Sequence, residues 1–579
     1  MPGRVAPGEI VVVAKRRLNQ SIFMNRIRLS SRTLLLLLAL MVLFYGVFYP
    51  GARLVASSLE QNGAWTLGNY GRVLSQKIVW ESILASLGVS VGTVALCALV
   101  GIPLAFLFER YSFPGRNLFA AMAALPLVLP PLVGTVAFIF LCGESGILAR
   151  VVEHAFRLTR APWTLRGWAA LLLFHTYTMY PFFYVLTAAG LRRIDAGLAQ
   201  AARTLGARPW RVLVRVTLPQ LTPALIAAGL LTFMTAMASF SAPLLFGGNV
   251  RVLTLEIFSA LQRGDRATAL TESVILAIVS LSALVIFQRY EGTRRFVAAA
   301  TKGATQRRQP LRSGRSRILA SVAGALFSIA LVLPVLTLML VSFARDGLWT
   351  TQTLPPSYTL ANYARVLTET NAAGPFINSI VMSAIAAGAS LAWSFCVVLL
   401  VVRGRRAAGR LLSLAVLVPW ALPGTVVAMA IAEAYGRPTL WLGSFVLVGT
   451  FWILPAIYFL RFMPLVVRAL QASMEQLDPS LEQAAASLGA RWWRRFLWVT
   501  VPLVWPGAVA GTLLAFVIGL GEFVASVLVF VPSNRPVSIA IASEMRDFNL
   551  GSAAAYGMVM IGIITVAMIL AGRLERRKA

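Results

Sequence analysis

Four lysines, three cysteines and two histidines are all that this 579-residue chain has of those residue types, and only 13% of its residues are charged. Each scarcity excludes something. None of the lysines, Lys15, Lys77, Lys302 and Lys578, follows a glycine, so the Gly-Lys-Ser/Thr loop that cradles nucleotide phosphates is missing. Cys97, Cys142 and Cys396 lie in or beside apolar runs without C-x-x-C spacing; they read as small core residues, neither a disulfide frame nor a metal site. With only His154 and His175 available for imidazole chemistry, and the few acids dispersed, the spans lack ligand-spaced clusters of His, Cys, Asp or Glu. No set of converging titratable groups points to a catalytic site. Too little charge is present to solvate the surface of a water-soluble protein of this size.

What is present is apolar. Hydrophobic residues make up 58% of the chain, and mean hydropathy is +0.77. Runs of about 20 apolar residues recur, the length a helix needs to cross a bilayer core. The runs are continuous rather than alternating, which favours helices over a barrel. The expected spans of the first half are Leu34–Pro50, Ser82–Phe108, Leu118–Leu141, Trp168–Ala189, Thr222–Phe240 and Ala267–Phe287. The second half offers Ile318–Val341, Ser379–Val402, Leu412–Ala432, Leu442–Leu460, Trp505–Phe523 and Ala553–Ala571. The fold class is therefore all-α and polytopic, with about twelve transmembrane helices.

The net charge of +31 would suit nucleic acid if it were gathered into a basic domain, but it lies between the apolar runs. That pattern matches the positive-inside rule, with membrane lipid headgroups as counter-charge and no nucleic-acid partner. The segment from Arg289 to Arg317 holds nine basic residues and one acid, Glu291, and the chain ends Arg576-Arg577-Lys578-Ala579. Both termini and this segment are expected to be cytoplasmic. The N-terminal apolar run follows Lys15, Arg16, Arg17, Arg26, Arg28 and Arg32; with no small-x-small site close behind, it reads as an uncleaved anchor. The expected organisation is a basic N-terminal segment (1–33), a transmembrane domain (34–288), a polar, flexible linker (289–317) and a second transmembrane domain (318–579).

The domains are copies of one another. Thr66-Leu-Gly-Asn-Tyr-Gly-Arg-Val-Leu74 recurs as Thr359-Leu-Ala-Asn-Tyr-Ala-Arg-Val-Leu367, and the third spans share paired prolines, Pro126 and Pro130 against Pro419 and Pro423. Even numbers of spans per copy make the repeat parallel, its axis along the membrane normal. A longer repeat lies between the fourth and fifth spans. Gln200-Ala-Ala-Arg-Thr-Leu-Gly206-Ala-Arg208-Pro-Trp-Arg211 reappears as Gln483-Ala-Ala-Ala-Ser-Leu-Gly489-Ala-Arg491-Trp-Trp-Arg494, each followed by Val-Thr-x-Pro at Pro219 or Pro502. Asp195 and Asp478 are suited to cap a short helix, Pro479 to begin it, and Gly206 or Gly489 to end it in the left-handed conformation. Ala201, Ala202, Ala484 and Ala485 give that helix a small surface open to close approach.

These two loops resemble the EAA loop of binding-protein-dependent ABC importers, E-A-A-x3-G-x9-I-x-L-P, with Gln in place of Glu, Val in place of Ile, and Val501 in place of Leu. The resemblance covers nearly the whole chain and is closest to the fused permeases of the iron(III), thiamine and phosphonate importers. It implies coupling helices over Asp195–Arg211 and Asp478–Arg494, with Asp195, Gln200, Ala201, Ala202, Gly206 and Arg208 in the first and Asp478, Gln483, Ala484, Ala485, Gly489 and Arg491 in the second. It also implies two copies of an ABC ATPase that holds ATP-Mg, no cofactor on this chain, and a periplasmic solute-binding protein, all at a bacterial inner membrane. Iron(III) is the first expectation for solute; thiamine, phosphonate and sugar phosphate fit the same resemblance. An ion-coupled secondary transporter with twelve helices is the competing reading, disfavoured by the paired loops. Ionisable groups within spans are costly, so Glu522 and its repeat partner Ser239, with Phe240, Phe523, Pro130 and Pro423, are candidates for the solute path.

Overall fold

A computed structural model describes residues 33–194, 196–294, 308–311, 313–345, 353–403, 406–438, 443–444 and 446–576. Eleven helices among them are long and apolar enough to cross a membrane, and a bent pair makes a twelfth. Counting along the chain, span 1 is Thr33–Leu59, span 2 Lys77–Arg110, span 4 Gly167–Arg193, span 5 Pro209–Met237 and span 6 Arg266–Arg294. In the second half, span 7 is Gly314–Ser342, span 8 Thr370–Arg403, span 10 Ile453–Glu475, span 11 Trp492–Leu520 and span 12 Leu550–Arg576. Helices form because a bilayer offers backbone amides no partner but their own chain. Buried hydroxyls obey the same constraint by bonding back one turn: Ser86 to Ser82 O, Ser90 to Ser86 O and Thr93 to Val89 O in span 2, Ser390 to Ala386 O and Ser394 to Ser390 O in span 8.

The third spans are broken where the prolines predict. The first runs as Arg116–Met122, a 3-10 turn at Leu125–Val128, and Pro131–Cys142. Its counterpart, Arg406–Ala421 followed by Gly424–Tyr435, bends by 101° at Leu422 and Pro423. Proline lacks the amide that would continue the ladder and pushes the preceding residue out of the helical region.

The expected tenth span, Leu442–Leu460, is displaced: the helix is Ile453–Glu475. Gly449 sits at φ 86° in a turn that delays the start, and Arg461 and Arg468, beyond the expected end at Leu460, lie inside the helix. Arg461 is tolerated because Glu522 pairs with it. The linker also differs from expectation. Span 6 continues through Arg294, and Gln309–Pro310 pairs in parallel with Tyr111–Ser112 at the end of span 2. That stretch is held to the first half rather than free. Residues 295–307 and 312 of the linker lie outside the described residues.

The repeated nine-residue motif proves to be a lock used twice. Asn69 donates from Nδ2 to Ser58 O (3.0 Å) and Glu60 O (3.1 Å), while Tyr70 Oη meets Ser58 Oγ at 2.7 Å. In the second half Asn362 donates to Ser342 O (2.9 Å) and Ala344 O (2.8 Å), and Tyr363 Oη meets Ser342 Oγ at 2.6 Å. Both asparagines are buried, and each satisfies the carbonyls left open where the first span of its half ends.

The two copies are interlocked. Span 1 packs on the second half: Tyr435 donates to Tyr45 O (2.5 Å), and Ser57 to Glu433 (2.8 Å). Ala39 and Leu43 belong to the same apolar core as Ile457 and Tyr458. Reciprocally, span 7 packs on the first half, where Tyr177 donates to Leu331 O (2.9 Å) and Tyr180 stacks edge-on against Phe327. A further core joins Val133, Val136 and Phe240 of one copy to Leu338, Leu520 and Phe523 of the other.

Candidate functional site

Two loops, one in each half between its fourth and fifth spans, share one backbone plan. The first contains a helix at Ala196–Thr204, the second a helix at Pro479–Ser487. Asp478 caps the latter, its Oδ1 accepting from Ser480 N–H at 2.9 Å, and that hydrogen bond holds the carboxyl below the usual carboxylate range. Asp195, its expected counterpart, lies outside the described residues. Each helix closes in the same register: Leu205, Gly206 and Ala207 donate to Ala201, Arg203 and Ala202, and Leu488, Gly489 and Ala490 to Ala484, Ala486 and Ala485. This is the paired-bond helix ending that needs a left-handed residue. Gly206 supplies it at φ 82° and Gly489 at φ 79°. No atom lies near either glycine's missing Cβ, so backbone conformation alone selects glycine.

Beyond the glycine each loop makes one short helical turn, Pro209–Val212 or Trp492–Arg495, then a five-residue π-turn, Leu213–Thr217 or Phe496–Thr500, which merges into the next span. The π-turn has a local cause. Pro219 and Pro502 stand second in the helix that follows and can neither donate nor fit behind a normal turn. Thr217 and Thr500 end the π-turns and are buried. They are held differently, Thr217 by Arg110 (3.3 Å) and Thr500 by Glu482 (2.5 Å).

Gln200, Ala201, Gly206 and Arg208 are exposed, and so are Asp478, Gln483, Ala484, Gly489 and Arg491; Ala202 and Ala485 are half-buried. Leu205 and Leu488, one residue before each glycine, are 88% and 89% exposed. The two leucines thus stand bare at equivalent positions of the repeat.

A second cluster lies where the halves meet. Phe240 and Phe523, equivalent residues of the two copies, face each other with ring centroids 5.8 Å apart, both buried. Matching bonds hold their neighbours: Thr254 donates to Ser239 O (2.7 Å) and Ser538 to Glu522 O (2.8 Å), while Ser86 and Ser379 accept from Leu253 and Val537 N–H, each at 2.9 Å. The scaffold is symmetric but the side chains are not. Ser239 Oγ lies 2.9 Å from His175 Nε2, whose Nδ1 is 3.3 Å from Thr93 Oγ1. Glu522 instead forms an ion pair with Arg461 and accepts from Ala525 N–H at 2.9 Å. Pro130 packs on Gly521, where an added Cβ would come within 3.0 Å of the proline ring. Pro423 caps Gly424–Tyr435 in its own half and is buried.

The profile of the binding-protein-dependent transport system inner membrane component family matches the chain twice, over residues 99–292 and 384–579. The chain belongs to this family. Two matches in one polypeptide make it a fused permease, and the family is a transport component of the inner membrane. The chain is similar to the probable ABC transporter permease protein y4fN of Sinorhizobium fredii, 31% identical over 485 residues and 83% of both chains. It is similar, at 24% identity, to the ferric transport system permease protein FbpB of Actinobacillus pleuropneumoniae across 92% of this chain and 77% of that one. The molybdenum transport system permease protein ModB of Mycobacterium tuberculosis is 34% identical over 210 residues, 35% of this chain and 76% of its own.

Within this permease the structure brings Phe240, Phe523, Ser239, Glu522 and Pro130 to one seam. Sequence reasoning missed His175 and Arg461, which hold two of those residues. His175 is an isolated histidine in an apolar run, and Arg461 falls one residue past the expected end of span 10; only the repeat offset, aligning Thr178 with Arg461 as it aligns Ser239 with Glu522, signals the connection.

Proposed function

We propose that this chain is the complete membrane path of an ATP-driven importer that takes up iron(III) handed over by a periplasmic binding protein. Two copies of a separate ABC ATPase, carrying ATP-Mg, would engage the loops around Gly206 and Gly489 through Leu205, Leu488 and the small helix faces beside them. Both termini and both loops would then be cytoplasmic, and this chain would perform no hydrolysis itself. The observation carrying the reading is the pair of loops, alike in helix, glycine, backbone bonds and exposed leucine. Closure of the ATPases would draw the loops together, and the π-turns would pass that displacement into spans 5 and 11. Those spans lead directly to Ser239, Phe240, Glu522 and Phe523, which with Pro130 and Pro423 line the path. Parting the Phe240–Phe523 contact opens it. Iron(III) is preferred to molybdate because the relatives named for ferric transport align along both halves, whereas those named for molybdenum align with about one.

The test is reconstitution of the permease with its ATPase and binding protein in liposomes. Ferric-loaded binding protein is expected to stimulate ATP hydrolysis and radioactive iron uptake. Uptake that persists without the ATPase and collapses with the ion gradient would overturn the reading.

A further inference from the structure

Where span 2 ends, beside the described end of the linker, one carboxylate faces three guanidinium groups. Glu109, its side chain 7% exposed, pairs with Arg192 at 2.5 Å, Arg308 at 3.3 Å and Arg116 at 3.7 Å. Arg116 is fixed from other directions as well, donating from Nε to Phe108 O (2.5 Å) and from Nη1 to Asn117 Oδ1 (2.6 Å). Two of these arginines, Arg116 and Arg308, line a cavity of about 350 Å³ together with Ser112, Phe113, Gly115, Asn117 and Leu118. Its charge does not balance: Glu109 neutralises one of three arginines, so two positive charges remain beside the opening. Its walls also divide. Ser112, Arg116, Asn117 and Arg308 supply polar groups beside Phe113 and Leu118; Leu118 is 59% exposed, and Ile318 and Leu319 at the start of span 7, the helix that packs here through Ser321 on Pro114 O (3.0 Å), are 67% and 71% exposed. Surplus guanidinium beside bare aliphatic surface at the end of a membrane helix is the arrangement that accepts a phosphodiester with its acyl chains lying alongside.

We propose that this cavity is a binding site for an anionic phospholipid, its phosphate held by Arg308 and Arg116 and its chains on Leu118, Ile318 and Leu319. The ligand bridges the linker to the broken third span. Arg308 adjoins the Gln309–Pro310 strand that pairs with Tyr111–Ser112, so an occupied site fastens that pairing. It acts as a lipid clasp between the two halves. The inference concerns a surface apart from the solute path and the loops, and it stands whether or not the cargo is iron.

The full-length permease, delipidated in mild detergent, is incubated with phosphatidylglycerol, phosphatidylcholine or inorganic phosphate, and retained lipid is counted by mass spectrometry. Phosphatidylglycerol is expected to be held about tenfold more strongly than phosphatidylcholine. Arg308→Ala should lose that preference, Arg308→Lys should keep most of it, and Ser112→Glu, which places a carboxylate in the cavity, should abolish it with unchanged circular dichroism. Equal retention of the two lipids by the wild type, or wild-type retention by both Arg308→Ala and Ser112→Glu, would overturn the proposal. Displacement of phosphatidylglycerol by inorganic phosphate at equal concentration would assign the site to a soluble anion and overturn the lipid source.

Discussion

The Arg461–Glu522 pair places a full charge separation inside a membrane bundle, where each partner is tolerated only because of the other. Their side chains are 16% and 6% exposed, so removing one leaves the other desolvated and uncompensated. Glu522→Ala is expected to destabilise the permease by about 3–5 kcal/mol, visible as a lower apparent melting temperature in detergent. Arg461→Met combined with Glu522→Leu removes both charges and should recover most of that loss. Transport of the double variant should stay low if Glu522 lines the path; full recovery of uptake along with stability would confine the pair to the scaffold. The equivalent positions in the first half, Thr178 and Ser239, carry no charge, and there His175 performs the holding role with a neutral hydrogen bond.

The loops show how far a short element can be fixed by local chemistry. A proline unable to follow a regular turn, a glycine at φ near 80°, and a helix closed by three backbone bonds give the same shape twice from differing side chains. Because no packing constrains the glycines, Gly206→Val and Gly489→Val strain only the backbone, by about 1–2 kcal/mol each. The expected outcome is a folded permease with nearly unchanged melting temperature whose ATPase no longer responds to loaded binding protein. Undiminished stimulation in both variants would count against the loops as coupling elements. This much was legible beforehand, because helix caps and glycine stops depend on residues within a few positions of one another. The far end of the tenth span was missed for the opposite reason: that a helix continues through Arg461 depends on a carboxylate some sixty residues away.

At the level of the whole molecule, each first span packs on its own half and also reaches across to the other. Span 1 lies against Tyr435, Glu433 and Ile457, and span 7 against Tyr177 and Tyr180. Glu433 further ties the halves by accepting from Arg266 of span 6 at 2.5 Å. Neither half is therefore complete alone. Cutting the chain between residues 300 and 301 should leave a stable, co-purifying complex when both fragments are made together, and aggregated or degraded fragments when either is made singly. A first-half fragment that is monodisperse and thermally stable by itself would contradict the interlock. The same architecture sets Phe240 against Phe523, since a parallel repeat places equivalent residues on opposite sides of one axis.

The amino-acid sequence by itself determined the membrane class, the twofold repeat, the break in each third span and the form of the two loops. These follow from hydropathy, chain periodicity and short-range backbone chemistry, which act within a segment whatever surrounds it. Even the Asn-Tyr motif was visible as a repeat, although its function as a lock on the preceding span was not. Tertiary structure alone decided that each first span also reaches the other half, that Glu522 is neutralised by Arg461, that Phe240 meets Phe523, and that Glu109 gathers three arginines beside the described end of the linker. Those outcomes depend on which helix faces approach one another. That choice is made by packing and charge pairing between residues far apart in the chain, and no local pattern encodes it.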